Sequence, residues 1–168
     1  MTPNKAEFFE NATQTLVRKI DAMGMDKLSR MRAKNFVLLF RDSFKLPAVK
    51  HATFNDLSDD DIRKFTYDAD GFCRASSAAF AALMGAHDWK LMFIGNGWSF
   101  GPHHYLVHVP SNTILDLTFD QYSHVGIKIP YFIGREIKLE INNDDTSVNF
   151  CRAIGIDLIQ TIKKQKDS

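Results

Sequence analysis

The sequence contains few cysteines, no long apolar run and almost no net charge, and each shortage excludes a class of protein. Its two cysteines lie too far apart in the chain to form a disulfide framework. No segment approaches the ~18 apolar residues that a membrane-spanning helix needs. The formal net charge of +1 argues against a dedicated nucleic-acid-binding protein, because strong counter-ion release needs a clear basic excess. We therefore expect neither a membrane nor a nucleic acid as partner.

The start of the chain lacks the features of a secretory signal. Residues 1–14, MTPNKAEFFENATQ, are polar and acidic, whereas such a signal begins with basic residues and continues with an apolar stretch. This pattern predicts a cytoplasmic protein in which both thiols are reduced. In that compartment a cysteine is free to act as a nucleophile.

Hydrophobic periodicity predicts an α+β protein with helices around a small antiparallel sheet. Apolar residues at helical spacing indicate a helical hairpin over residues 5–23 and 27–45, and residues 47–55 are expected to form a connector. We divide the chain into an N-terminal helical extension, residues 1–50, and a core, residues 51–168, in which one central helix packs on the sheet. In the core we expect helices after Ser58, between Gly71 and Gly85 and, as one amphipathic helix, after Thr146, with strands at 89–94, 105–109 and 114–118 and further strand within 128–139.

Cys73 lies in the expected first turn of the central helix. A thiolate there is stabilised by the helix dipole and by unpaired backbone N–H groups, which lower its pKa from about 8.5. The same N–H groups can stabilise the oxyanion that forms when a thiolate attacks a carbonyl. Cys73 is thus a candidate nucleophile, although a buried structural thiol is the commoner role of a free cysteine. Cys151, beside Phe150 in the C-terminal helix, is expected to pack in the core.

The segment HHYLVHV supplies three candidate bases for such a thiol. In a strand, His104 and His108 face one side and His103 faces the other. An odd-length hairpin loop places Asp116 of the next strand on the same side as His104 and His108, and an even-length loop favours the opposite side. The sequence leaves the register open, although pairing alone slightly favours His108, which lies directly across from Asp116 in one register.

Two other kinds of site are compatible with parts of the sequence. A zinc ion could be shared by His104, His108 and Asp116, but no second cluster of ligands is evident, so we expect no metal. The glycine-containing segment 95–101 does not predict a phosphate-binding loop, because a strand rather than a helix follows it. We interpret this segment as a lid or substrate wall in which Trp98 contacts the substrate, with an ordinary connecting loop as the alternative.

Taken together, three segments resemble the transglutaminase-like and papain-like thiol enzymes. Those enzymes share a cysteine that opens a helix, a histidine that opens a strand and an aspartate that ends the next strand. More closely, the chain is similar to a family of small phage and bacterial proteins, over residues 70–165. The matching residues are Gly71, Cys73, Ala75 and Ser76, then His104, Tyr105 and Leu106, then Leu115, Asp116, Leu117, Thr118, Gln121 and Tyr122.

The resemblance implies a papain-like or transglutaminase-like core with a Cys-His-Asp triad. Cys73 is then the nucleophile, His104 the base and Asp116 the group that fixes the imidazole tautomer. His103 and His108 then become neighbours of the site. We expect His108 and Gln121 to bind the substrate, with a turn-capping role as the alternative for Gln121. The chain departs from the family at two other positions, which leave the triad untouched but bear on substrate preference: Arg74 replaces a common aromatic residue and Ser77 replaces an expected glutamate.

The chemistry implied is attack of a thiolate on an amide or ester carbonyl, followed by resolution of the thioester by water or an amine. We expect a hydrolase of the peptidase, amidase or deamidase type, slightly favoured over an acyltransferase, acting on a protein, a peptide or a small amide. This mechanism requires neither an organic cofactor nor a metal. The alternative is a catalytically inactive papain-like binding module, for instance a phage protein that captures a factor in the host cytoplasm. The sequence leaves the oligomeric state open.

Overall fold

The computed structural model describes residues 4–95 and 97–168, which form eight α-helices and a four-stranded antiparallel sheet. The α+β prediction is therefore confirmed. Among the helices described, none combines the length and the apolar character needed to cross a membrane. The helices are α1 (Lys5–Asp21), α2 (Lys27–Phe44), α3 (Pro47–Thr53), α4 (Asp59–Ile62), α5 (Cys73–Met84), α6 (Asp120–Ser123), α7 (Thr146–Ala153) and α8 (Leu158–Lys166), and the strands are β1 (Trp89–Ile94), β2 (His103–His108), β3 (Thr113–Leu115) and β4 (Arg135–Ile137).

The predicted N-terminal helical hairpin is present as α1 and α2. Asn4 begins α1 by accepting a hydrogen bond from the Glu7 N–H, and Asp26 begins α2 in the same way through Ser29. The buried faces of both helices join the same hydrophobic core as the central helix α5 and helix α7. Its large members include Phe9, Leu16, Ile20, Phe40 and Phe44 from the hairpin, and Phe72, Phe80 and Phe150 from the rest of the chain.

A buried arginine ties the hairpin to the segment that follows the sheet. Arg41 on α2 is fully buried and forms two hydrogen bonds of 2.7 Å with the carboxylate of Asp120 on α6. Its guanidinium also donates to the Thr13 hydroxyl and to the Phe9 carbonyl of α1, and to the Leu117 carbonyl after β3. One side chain thus joins two N-terminal helices to the chain between β3 and α6.

The sheet has the strand order β3-β2-β1-β4, and every neighbouring pair is antiparallel. The hairpin between β2 and β3 pairs His108 with Thr113 and Leu106 with Leu115. Its loop, residues 109–112, is even in length, and Asn112 there has a left-handed φ of 52°. Helix α5 packs against β1 and β2, which brings its first turn close to the start of β2.

The segment 47–55 differs from the prediction of a connector, because residues 47–53 form helix α3. Pro47 occupies its first turn, where the fixed φ of proline suits a helix and its missing N–H costs no hydrogen bond. Sequence periodicity is weak in so short a helix, and packing stabilises it: Val49 and Thr53 are buried.

The prediction of a single C-terminal helix is wrong. The chain forms α7 and α8 instead, because Gly155 adopts a left-handed φ of 82° and the Ile156 N–H bonds back to the Cys151 carbonyl. Asp145 rather than Thr146 caps α7, by accepting from the Ser147 N–H. Of the predicted further strand within 128–139, only β4 forms.

We expect Gly71→Ala to lower the free energy of unfolding by about 1–3 kcal/mol. Gly71 has a φ of 81°, and a Cβ there would lie 2.9 Å from the Phe65 ring. Gly24→Ala is the matched control, since its φ is also left-handed at 72° but its Cβ would meet nothing within 4 Å. Urea unfolding of both variants separates the cost of a left-handed alanine from the cost of its contact with Phe65. Equal losses of stability at the two positions would show that the contact with Phe65 adds no cost.

Candidate active site

Cys73 is the first residue of α5, as the sequence predicts. The left-handed Gly71 reverses the chain just before it, and Phe72 anchors the turn by packing fully buried against Phe44. Phe72 provides no side-chain cap, so no side chain of the N-cap occupies the N–H groups of the first turn. Cys73 is buried, with 9% of the residue exposed, which leaves it at the edge of the core.

Two neighbouring histidines lie at the thiol. The Nδ1 atom of His104 is 4.0 Å from Cys73 Sγ, and its ring is half-buried against Phe93. His103, which begins β2, is fully buried, and its imidazole lowers the pKa of the same thiol. Because consecutive strand residues face opposite sides, the two imidazoles lie on different sides of β2.

Asp116 binds His103, so the predicted contact between Asp116 and His104 is wrong. Asp116 Oδ2 lies 2.6 Å from His103 Nε2. The reason is the even-length hairpin loop: continuing the pairing of Leu106 with Leu115 places Asp116 opposite Tyr105 and diagonal to His103. A triad histidine is expected to contact both the thiol and the carboxylate. Here the 4.0 Å contact with the thiol is made by His104, and the hydrogen bond with the carboxylate is made by His103.

The carboxylate of Asp116 is buried and accepts several hydrogen bonds. Besides His103, the Tyr131 hydroxyl donates to Oδ2 over 2.8 Å. The Thr118 N–H donates to Oδ1 over 3.1 Å. These donors fix the carboxylate in one orientation, which in turn fixes the ring of His103 with its Nε2–H toward Asp116 and its Nδ1 free of that bond.

The charges of these groups are coupled. Burial raises the pKa of the Cys73 thiol, but hydrogen bonds and positive charge from His103 and His104 outweigh it and lower this pKa to about 6. Burial lowers the pKa of His103, but the charge and hydrogen bond of Asp116, with a smaller contribution from Cys73, raise it to about 10. Between these two values the thiolate and the imidazolium coexist, which is the reactive form of a thiol enzyme.

A cysteine, two imidazoles and a buried carboxylate can together support acyl transfer through a thioester. Comparison with known proteins finds no matching family model, curated protein or solved structure. The chemistry of the site is therefore inferred from the positions of its own side chains.

Gln121 and Trp98, both predicted at the site, lie next to His103. The Gln121 amide nitrogen donates to the Thr118 hydroxyl over 2.9 Å and lies 3.5 Å from His103 Nδ1. The Trp98 ring meets His103 and Tyr122 at centroid distances of 5.9 and 4.7 Å. Trp98 therefore covers the histidine that binds Asp116, within the segment 95–101, whose residue 96 lies outside the described part of the chain.

His108 does not lie at the site. It ends β2 five residues beyond His103, where its Nδ1 is 2.7 Å from Ser111 Oγ and its ring packs on Trp89. Burial lowers its pKa, as expected for a structural histidine. His104, His108 and Asp116 therefore do not converge, and within residues 4–95 and 97–168 no three histidine, cysteine, aspartate or glutamate side chains could hold a metal ion.

Sequence reasoning missed two residues of this site. His103 was expected only as a neighbour of the triad. A hairpin loop with an even number of residues, 109–112, would have placed Asp116 on the same side of the sheet as His103. Tyr131 was missed because it reaches Asp116 from a short helical turn, Tyr131–Ile133, that precedes β4. No local pattern marks that contact.

Proposed function

We propose that the protein is a thiol-dependent hydrolase or acyltransferase with a papain-like or transglutaminase-like core. Cys73 is the nucleophile, His103 the base and Asp116 the residue that orients it. The observation that carries the proposal is the 2.6 Å bond between Asp116 and His103 beside a thiol whose pKa is lowered to about 6 at the start of a helix. Hydrolysis by a peptidase, amidase or deamidase mechanism is favoured, and a protein, a peptide or a small amide is the substrate.

In the proposed reaction, the bond from His103 Nε2–H to Asp116 leaves Nδ1 to take the thiol proton. The Cys73 thiolate attacks the carbonyl carbon, and the oxyanion is stabilised by N–H groups of the first turn of α5. The imidazolium then protonates the leaving amine or alcohol as the thioester forms. Water or an amine, deprotonated by the same imidazole, attacks the thioester and releases Cys73.

His104 has a different role from His103 in this proposal. It lies 4.0 Å from the thiol, but no aspartate or glutamate among the residues described here forms an ion pair with its ring. A ring without such a partner is less well oriented. His104 therefore supports the thiolate electrostatically from the solvent side, next to the position where the substrate enters.

We expect iodoacetamide to modify Cys73 at pH 7 at least about a thousandfold faster than Cys151 in the folded protein. Burial raises the pKa of Cys151 to about 12, so only a very small fraction of it is thiolate. Peptide mapping by mass spectrometry over time gives both rates. Unfolding in urea is the control, because the two thiols should then react at similar rates.

The same measurement separates the enzyme from the catalytically inactive binding module. A binding module has no need of an activated thiol, so it predicts slow modification of both cysteines in the folded protein. Fast modification of Cys73 that disappears in urea supports the thiol enzyme. Slow modification of both contradicts it.

A further inference from the structure

A row of three side chains crosses the sheet away from Cys73. His104 on β2 pairs with Phe93 on β1, and Phe93 pairs with Arg135 on β4. Residues paired in this way lie on the same face of a sheet. The ring centroids of His104 and Phe93 are 5.0 Å apart, and the guanidinium carbon of Arg135 lies 5.4 Å from the Phe93 ring. The row thus runs continuously from the thiol to a cation.

The far end of this row borders a cavity of about 240 Å³, lined by Phe93, Gly95, Ile133 and Arg135. Its volume suits one amino-acid side chain rather than a large cofactor. Gly95 shapes it, because a Cβ at this position would lie 2.6 Å from the Phe93 ring and displace it. Ile133 provides an apolar wall, and the residue is 39% exposed.

The chemistry of this cavity is that of a single cation beside apolar walls. Arg135 is exposed, and no carboxylate in the described part of the chain lies within ion-pair distance of it. Two nearby lysines differ: Lys90 pairs with Glu136, and Lys138 pairs with Glu140. A guanidinium held over an aromatic ring is oriented to bind a carboxylate through two parallel hydrogen bonds.

We propose that this cavity is a substrate subsite that binds an acidic side chain, with Arg135 as the residue that determines specificity. This subsite rests on the proposed function. It implies that the substrate is a peptide that carries a carboxylate near the carbonyl that Cys73 attacks. Two strand spacings separate His104 from Arg135, so the carboxylate lies roughly 10 Å from the reacting carbon. The glutamate side chain of the residue that follows that carbonyl reaches about 7 Å from the carbonyl carbon, and the long side chain of Arg135 covers the remainder.

The test uses two chloroacetylated amino-acid amides that differ only in charge, N-chloroacetyl-glutamic acid α-amide and N-chloroacetyl-glutaminamide. With each, the Cys73 thiolate forms a bond to the methylene carbon and chloride leaves. We expect the wild-type protein to react about tenfold faster with the glutamate compound, measured as the second-order rate constant of inactivation at Cys73. Arg135→Gln should reduce this ratio to about one, chiefly by slowing the reaction of Cys73 with the glutamate compound.

Lys138→Gln is the matched control, since it removes one positive charge from the same segment and should leave the ratio at its wild-type value. Arg135 is exposed, so its replacement should not disturb folding, and far-UV circular dichroism checks this. A wild-type ratio near one, or a ratio that persists in Arg135→Gln, would overturn the acidic subsite while leaving the thiol chemistry intact. Failure of all reagents, iodoacetamide included, to modify Cys73 would overturn both proposals together.

Discussion

Replacing His103 with alanine is expected to raise the midpoint of the pH dependence of Cys73 alkylation from about 6 to above 8. Without this imidazole, only His104 remains to offset the burial of the thiol, which raises its pKa and disfavours the thiolate. At pH 6.5 the thiolate population should fall by at least about 25-fold, and the rate should fall by less, because a thiolate of higher pKa is intrinsically more nucleophilic. The pH profile with iodoacetamide, or thiolate absorbance at 240 nm, gives the midpoint directly.

His104→Ala is the matched variant, because it removes the neighbouring imidazole that also touches the thiol but not Asp116. We expect its midpoint to rise by less than that of His103→Ala. In a substrate assay, His103→Ala should lose nearly all turnover, since a base contributes typically about 10²–10⁴-fold. A larger effect of His104→Ala on both quantities would identify His104 as the base and contradict the assignment made from the Asp116 contact.

Replacing Arg41 with methionine should lower the free energy of unfolding by about 3–5 kcal/mol, because Asp120 would remain buried without its counter-charge. Among the residues that the structure describes, only the Tyr67 hydroxyl, 2.6 Å away, would still donate a hydrogen bond to the carboxylate. Methionine preserves much of the volume of the arginine side chain, so cavity formation contributes little. Urea unfolding followed by circular dichroism measures the loss.

Two controls distinguish a lost charge pair from general damage to the core. The double variant Arg41→Met with Asp120→Leu removes both charges and should recover a large part of the stability lost in Arg41→Met. Asp21→Asn breaks an exposed pair with Lys34 and should cost less than about 1 kcal/mol. If Arg41→Met costs no more than Asp21→Asn, the buried pair does not anchor the hairpin.

Local signals in the sequence were sufficient for the three longest helices, α1, α2 and α5, and for the position of Cys73. The apolar spacing in α1 and α2, and the glycines on either side of α5, act over a few residues and do not depend on the rest of the chain. The same is true of the position of Cys73 at the start of α5. The interruption at Gly155 was missed because the apolar periodicity continues across it, through Ile154 and Leu158.

The choice among the histidines depends on pairing between strands, which local patterns do not determine. A shift of one residue in the hairpin would have turned Asp116 from His103 toward the side of His104. The bond from Tyr131 and the cavity beside Arg135 depend on how β4 returns to β1, after the segment 116–134. Such contacts between distant parts of the chain follow from the packing of the whole fold.

The bond between Arg41 and Asp120 has a consequence for genetic experiments on this protein. Asp120 is the neighbour of Gln121, and both belong to the short helix α6 that borders His103. A mutational scan that selects for modification of Cys73 should therefore recover damaging substitutions at Thr13 and Arg41, far from the thiol in sequence. Designs that transplant the site to a smaller scaffold would have to replace the support that α1 and α2 provide.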